Sequence, residues 1–202
     1  MEPDPPRRRP RRRDGAPGDV RQIDDVRALA ALGHPDRVRL MDALAVHGAS
    51  TTTTLAQSLV LATGSISHHL KVLEAAGLVR PAQEAAVDRR ERRWALVTRG
   101  MRWSVADFRG QPAGEAAAVS AEAVFLAGQY EKARAFLETG EQPWDAAAYS
   151  SHVWLHLTPE ELMRLGRELD ELLLRWRRRE IPDDGADRST VLAFARAFPT
   201  VP

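Results

Sequence analysis

The stretch Thr63-Gly64-Ser65-Ile66-Ser67-His68-His69-Leu70-Lys71-Val72-Leu73-Glu74-Ala75-Ala76-Gly77-Leu78-Val79 decides how the rest of the chain is read. Ile66, Leu70 and Leu73 fall at i, i+4 and i+7, the spacing that lines one face of a helix with apolar side chains. Gly77 follows the last apolar turn, where helices commonly end on a residue that tolerates a left-handed backbone. With the apolar face turned inward, Thr63, Ser67, His68 and Lys71 project from the opposite side, and Gly64 and Ser65 lie in the first turn. Such a helix suits the major groove of duplex DNA. Small residues admit the backbone, hydroxyls and His68 can donate to phosphates or base edges, and Lys71 can pair with a phosphate. Periodicity by itself fits the solvated face of any amphipathic helix equally well. His69, beside Leu70 on the inner edge, reads as a packing histidine.

Upstream, three further helices are expected. The first runs from Val20 to Gly33. The second starts at Pro35, carries Val38, Met41, Leu44 and Ala45 at helical spacing, and stops at Gly48. A short third helix around Leu55, Ala56 and Leu59 follows Ser50 and the run Thr51 to Thr54, which offers several N-cap residues. Downstream the period shortens. Leu78 to Pro81 and Arg93 to Val97 read as two strands joined by a charged loop over Ala82 to Arg92. Helices followed by a two-stranded hairpin form the order of a winged helix-turn-helix, with the charged loop as the wing. Arg89 and Arg90 are its candidate phosphate-contacting side chains; a solubilising hairpin with internal ion pairs is the competing reading.

The segments ALGHPDRVRLMDAL (residues 31–44) and LVLATGSISHHLKVLEAAGLVR (residues 59–80) resemble the ArsR-type winged helix-turn-helix regulators. Ser67-His68-His69-Leu70-Lys71 with Ala76-Gly77-Leu78-Val79 carries the likeness, which spans about residues 26–97. The resemblance implies DNA contacts from Thr63, Ser65, Ser67, His68 and Lys71, a homodimer, and repression relieved by a signal. Two features depart from the family. Thr51 to Thr54 stand where metal-sensing members carry cysteines, and Ala62 stands where a capping serine is frequent, which leaves Thr63 to supply the cap.

The second half follows the linker Gly110 to Gly114. A long helix is expected from Glu115 to Glu138, with Val119, Ala123, Leu126, Tyr130, Ala133 and Leu137 in a stripe that Phe125 and Phe136 widen. An apolar arc this broad calls for cover on two sides, one of which a second subunit would supply. Ser151 to Leu157 alternates and reads as a strand. His152 and His156 would then lie about 13 Å apart, too far to share an ion. Thr158-Pro159-Glu160-Glu161 is a capping-box signature for a leucine-rich helix ending in Arg175 and Arg177 to Arg179, cations suited to a helix C-terminus. Thr190 to Phe198 reads as a strand pairing with the earlier one. Aromatics such as Trp103, Phe108, Trp154 and Trp176 could line a pocket for a small-molecule effector; core packing accounts for them equally well.

Composition narrows the classes. The 202 residues are 44% hydrophobic and 28% charged, ordinary for a globular protein, and the net charge is +1. That balance hides an asymmetry: residues 1–103 carry 18 lysines and arginines against 12 acidic residues, and residues 104–202 carry 11 against 16. The first half suits a polyanion. With no cysteine, thiolate metal ligation, disulfides and cysteine nucleophiles are excluded. No apolar run reaches membrane-spanning length, and the chain is expected to be cytoplasmic. No phosphate loop, nucleophile elbow or zinc-protease motif is present, so no catalytic residue, metal ligand or cofactor is assigned.

The expected architecture is mainly α with small β elements. It comprises an Arg/Pro-rich disordered tail over 1–18, a winged helix-turn-helix over 19–100, and a C-terminal α+β domain over 101–202 for dimerisation and effector sensing. The expected function is a sequence-specific transcriptional regulator, a repressor, that binds an inverted-repeat operator in double-stranded DNA as a homodimer. The alternative is a winged helix used as a protein-interaction or RNA-binding module. The arginines between Arg7 and Arg13 would serve as an arm on DNA phosphates or as a solvated tail.

Overall fold

The computed structural model describes residues 20–82, 92–98 and 100–201. The expected tail and most of the wing loop, including Arg89 and Arg90, lie outside the described residues. The chain divides into two compact units, Met1–Glu141 and Gln142–Pro202.

The first unit is organised around three helices whose ends the sequence marks clearly. Helix α2 (Pro35–His47) starts on the N-cap His34, whose Nδ1 accepts the Asp36 amide at 3.2 Å, with Pro35 in the first turn. It stops at Gly48, where φ is 73°. Helix α3 (Thr52–Leu59) is capped by Thr51, whose hydroxyl accepts the Thr54 amide at 3.1 Å. Helix α4 (Thr63–Ala75) ends in a Schellman arrangement. Gly77, at φ 66°, donates to the carbonyl of Glu74, and Leu78 donates to that of Leu73, both at 2.9 Å. Ala62 is the N-cap of α4, and no side chain caps it. The expectation that Thr63 would supply the cap is therefore corrected: Thr63 is already the first helical residue.

Leu40 of α2, Leu55 of α3 and Ile66, Leu70 and Leu73 of α4 are at most 1% exposed and share one apolar core with Leu29 and Leu32. Each such side chain contributes about 1.5–3 kcal/mol relative to its exposed state. The arginines of the Pro35 segment fasten the surrounding turns. Arg37 donates to the carbonyls of Ala30 and Ala31 at the end of the preceding helix. Arg39 donates to the carbonyl of Leu59 at 3.1 Å. Just beyond, Val60 turns the chain from α3 into α4 in the left-handed region (φ 56°), an uncommon place for a β-branched residue.

The hairpin forms as the period of two suggests. Strand β3 (Val79–Pro81) pairs antiparallel with β4 (Arg93–Leu96), Val79 opposite Leu96 and Pro81 opposite Trp94. A short strand β2 (Ser50–Thr51) before α3 adds to the other edge of β4, opposite Trp94 and Arg93. Trp94 is 6% exposed and seats the sheet on the helical core.

Three features of this unit differ from expectation. Val20 does not begin a helix. Residues Val20–Gln22 form strand β1, parallel to strand β5 (Gly100–Arg102), and helix α1 is only Val26–Leu32 behind its N-cap Asp25. A helix of seven residues is not stable alone and owes its existence to packing. That packing comes from helix α5 (Pro112–Thr139), entered through a single 3₁₀ turn at Val105–Phe108. Ala118 and Ala121 of α5 are fully buried, and a Cβ on Gly33 would lie 2.8 Å from Ser120 Oγ, so α1 and α5 approach closely through small residues. The first unit thus extends through α5 to Glu141, well past residue 100.

In the second unit, helix α6 (Trp144–Ala147) is a single turn, and helix α7 (Pro159–Arg178) begins with the full capping box: Thr158 accepts the Glu161 amide and Glu161 accepts the Thr158 amide. The α+β expectation for the C-terminal part is corrected. Among the described residues, neither 151–157 nor 190–198 is a strand. Alternation allows a strand, but a strand exists only as part of a hydrogen-bonded ladder, and neither segment has a partner strand.

Candidate nucleic-acid interface

Helix α4 carries the candidate side chains, and the core fixes which way they face. Because Ile66, Leu70 and Leu73 are fully buried, the opposite face of the helix is left to solvent. Thr63, Gly64, His68 and Lys71 are exposed, and Ser65 and Ser67 are half-buried. Thr63 is exposed because it opens the helix, and Lys71 and His68 project from the later outward turns. His68 and Lys71 stand opposite the buried face, and the half-buried Ser65 and Ser67 flank it on either side. The Ser67 hydroxyl donates to the Thr63 carbonyl at 2.9 Å and keeps its oxygen available as an acceptor. A Cβ added to Gly64 would meet nothing within 4 Å, so the backbone of the first turn is open to approach. No side chain caps that turn, and its amides, at the positive end of the helix dipole, are left to an external acceptor.

The wing's return strand is tied to the same helix. Arg92 Nη2 donates to Glu74 Oε1 at 2.8 Å, and the Arg92 guanidinium lies 4.4 Å from the ring centre of Trp94. Arg89 and Arg90 fall outside the described residues, so the structure neither joins them to this face nor separates them from it.

One cluster behind the helix was not legible in the sequence. His69 is 6% exposed, on the inner side as expected, and its ring lies 4.8 Å from that of His34. Burial is the main cause that holds its imidazole below the usual histidine value; His34 adds to this and Asp36 opposes it. His34, Asp36 and His69 come together from the start of α2 and the middle of α4, and no local spacing signals that meeting. Trp103 packs edge-on against Phe125 at 5.1 Å, and Phe108 is buried against Gly114, so these two aromatics belong to the core.

Residues 32–82 match a family described as "Helix-turn-helix domain". The matched segment holds α2, α3, α4 and β3, the elements that build and present the exposed face. The chain carries a winged helix-turn-helix domain, in keeping with the resemblance drawn from its sequence. No curated protein matches the chain. Among solved structures, it is similar to the homodimeric winged helix-turn-helix DNA-binding domain of Mb0332 from Mycobacterium bovis, described as a possible ArsR-family transcriptional regulator. That match has 18% identity, covers 64% of this chain and 88% of that one, and has a TM-score of 0.33. It is also similar to NMB1585, a MarR family regulator from Neisseria meningitidis (20% identity, 70% and 75% covered, TM-score 0.32). A third likeness is to a double mutant of Lactococcus lactis ZitR in apo form (20% identity, 72% and 83% covered, TM-score 0.31). Among the described residues no helix is long and apolar enough to cross a membrane.

Proposed function

We propose that this winged helix-turn-helix protein is a non-enzymatic transcriptional regulator of the ArsR type that binds duplex DNA, with α4 in the major groove. The carrying observation is the outward face of α4. Thr63, His68 and Lys71 are exposed and Ser67 is half-buried on a helix whose other side is locked into the core. Hydroxyls and an imidazole suit base edges, and Lys71 and the uncapped first turn suit flanking phosphates. In this reading Ser65 contacts the backbone at the start of the helix, and Arg89 and Arg90 on the wing grip the adjacent phosphates.

The protein acts as a homodimer on an inverted repeat and represses from it. The dimer is supported by α5, where Val119, Leu126, Tyr130 and Leu137 are more than half exposed along one helix. Two symmetric copies would place their recognition helices about 34 Å apart, or a multiple of it.

The deciding experiment is footprinting on the DNA upstream of the protein's own gene, alongside anisotropy titrations with that duplex, a scrambled duplex and single-stranded RNA. Protection of paired half-sites and preference for the native duplex are expected. Equal affinity for RNA and both duplexes would reject the reading.

A further inference from the structure

We propose that α7 pairs antiparallel with α7 of a second copy of this chain and so tightens the dimer assigned to α5, an inference that rests on the dimer reading above but not on DNA binding. Along α7, Leu162, Leu165, Leu169, Leu172 and Trp176 follow one another at steps of 3, 4, 3 and 4. With about 100° between successive residues they fill an arc of about 80°. That is the narrow seam of a two-stranded coiled coil, not the broad face of a helix lying on a globular core. Among the described residues none of α7 is buried, and Leu172 and Trp176 are 39% and 60% exposed.

The charges along the helix choose the occupant and its direction. The first turn of α7 is acidic, with Glu160 and Glu161, and its last turn is basic, with Arg175, Arg177 and Arg178. A parallel pair would set like ends side by side and repel itself. In an antiparallel pair, Leu162 of one copy faces Leu172 of the other and Leu165 faces Leu169. Glu161, Glu168 and Arg175 recur at seven-residue spacing on one flank of the seam, so Glu161 of each copy then stands beside Arg175 of the other. Glu168 meets its own copy at the axis, one unfavourable pair against two favourable ones. Trp176 closes each end over the start of the opposite helix. The outer face mixes Arg164 and Arg167 with Asp170 and Glu171, where a helix lying on an anionic bilayer would be predominantly basic. A helix of 20 residues holds too few layers to join two chains tightly alone. Once α5 has joined them, the second contact is intramolecular, at an effective concentration on the order of millimolar.

The chain has no cysteine, so introduced ones report contacts without background. The test mixes full-length Leu162→Cys chains with full-length Leu172→Cys chains under mild oxidation. The antiparallel seam brings these two positions within disulfide reach and keeps each about 15 Å from its own copy along the helix axis. The mixture should therefore form a linked dimer about tenfold faster than either protein alone. In a Leu126→Glu/Tyr130→Glu background the link should form more slowly with the same preference. An unchanged rate there would fault the α5 face and leave the seam standing, so the two failures read separately. Leu172→Glu/Trp176→Glu, at two exposed positions, should raise the dimer dissociation constant about tenfold or more with an unchanged circular dichroism spectrum. The proposal is overturned if each cysteine protein links to itself as fast as the mixture links, because the pairing is then parallel or absent. It is equally overturned if the Leu172→Glu/Trp176→Glu dissociation constant matches that of the wild type. Flotation of the wild type with phosphatidylcholine–phosphatidylglycerol vesicles, abolished in that variant, would also overturn it, because lipid then covers the face.

Discussion

Arg92, the residue just before the wing's return strand, donates to Glu74 near the end of α4 at 2.8 Å, so the hairpin is fastened to the helix that faces DNA in the proposed reading. The pair is largely exposed and contributes about 1 kcal/mol or less to stability. Its value is directional. Trp94 holds β4 in the core, and Arg92, just ahead of it, holds that end of the hairpin to α4.

That placement sets the expectation for the wing. Replacing Arg89 and Arg90 by alanine should weaken binding to all duplexes alike and flatten the dependence of log affinity on log salt by about one unit for each arginine–phosphate pair removed. Anisotropy titrations at several salt concentrations read both effects. An unchanged slope would reduce the wing to a solvated hairpin.

Discrimination between sequences should lie in α4. The double substitution Ser67→Ala/His68→Ala removes two outward side chains and leaves the buried face untouched, so the thermal midpoint should stay close to that of the wild type. Affinity for the operator should fall by about 1–3 kcal/mol for each side chain that reads a base edge, while binding to unrelated duplex persists. Retention of full preference for the operator would remove α4 from the reading role.

Val60 offers a test of the turn between α3 and α4. A left-handed backbone costs an L-residue about 1–2 kcal/mol, and glycine escapes that cost at an entropic penalty of about 0.4–1 kcal/mol in the unfolded chain. Val60 is 89% exposed and loses almost no packing when truncated. Val60→Gly should therefore raise stability by up to about 1 kcal/mol in a denaturant melt. A clear loss would mean that the turn depends on the valine side chain.

Association should run through α5. Leu126 and Tyr130 are one turn apart and mostly exposed. Sedimentation equilibrium at micromolar concentration should find a dimer for the full chain and a monomer for Leu126→Glu/Tyr130→Glu. A monomeric wild type would defeat the dimer, and an unaltered dimer in the variant would move its interface off this face.

The sequence was most legible where local signals agreed. Helices α2, α3 and α4 announce themselves through apolar spacing bounded by Pro35, Thr51, Gly48 and Gly77, and the outward positions of His68 and Lys71 follow from the burial of Ile66, Leu70 and Leu73. What could not be read depends on partners far along the chain. Strand β1 is three residues long, too short for a period, and exists because Gly100–Arg102 lies beside it. Ser151 to Leu157 has a strand's alternation and finds no ladder. His69 was legible as buried, but its meeting with His34 and Asp36 is a product of how α2 crosses α4.

The close approach of Gly33 to Ser120 bears on how the protein can be dissected. A fragment cut at the end of the hairpin, which the order of elements invites, would strip α5 from α1 and uncover a small oily surface that the whole protein never presents. Such a fragment would tend to stick to itself, and a sedimentation experiment would mistake that adhesion for native dimerisation. The smallest piece that keeps its own α1 covered ends near Glu141, and it is the proper control for any claim about what the remaining residues add.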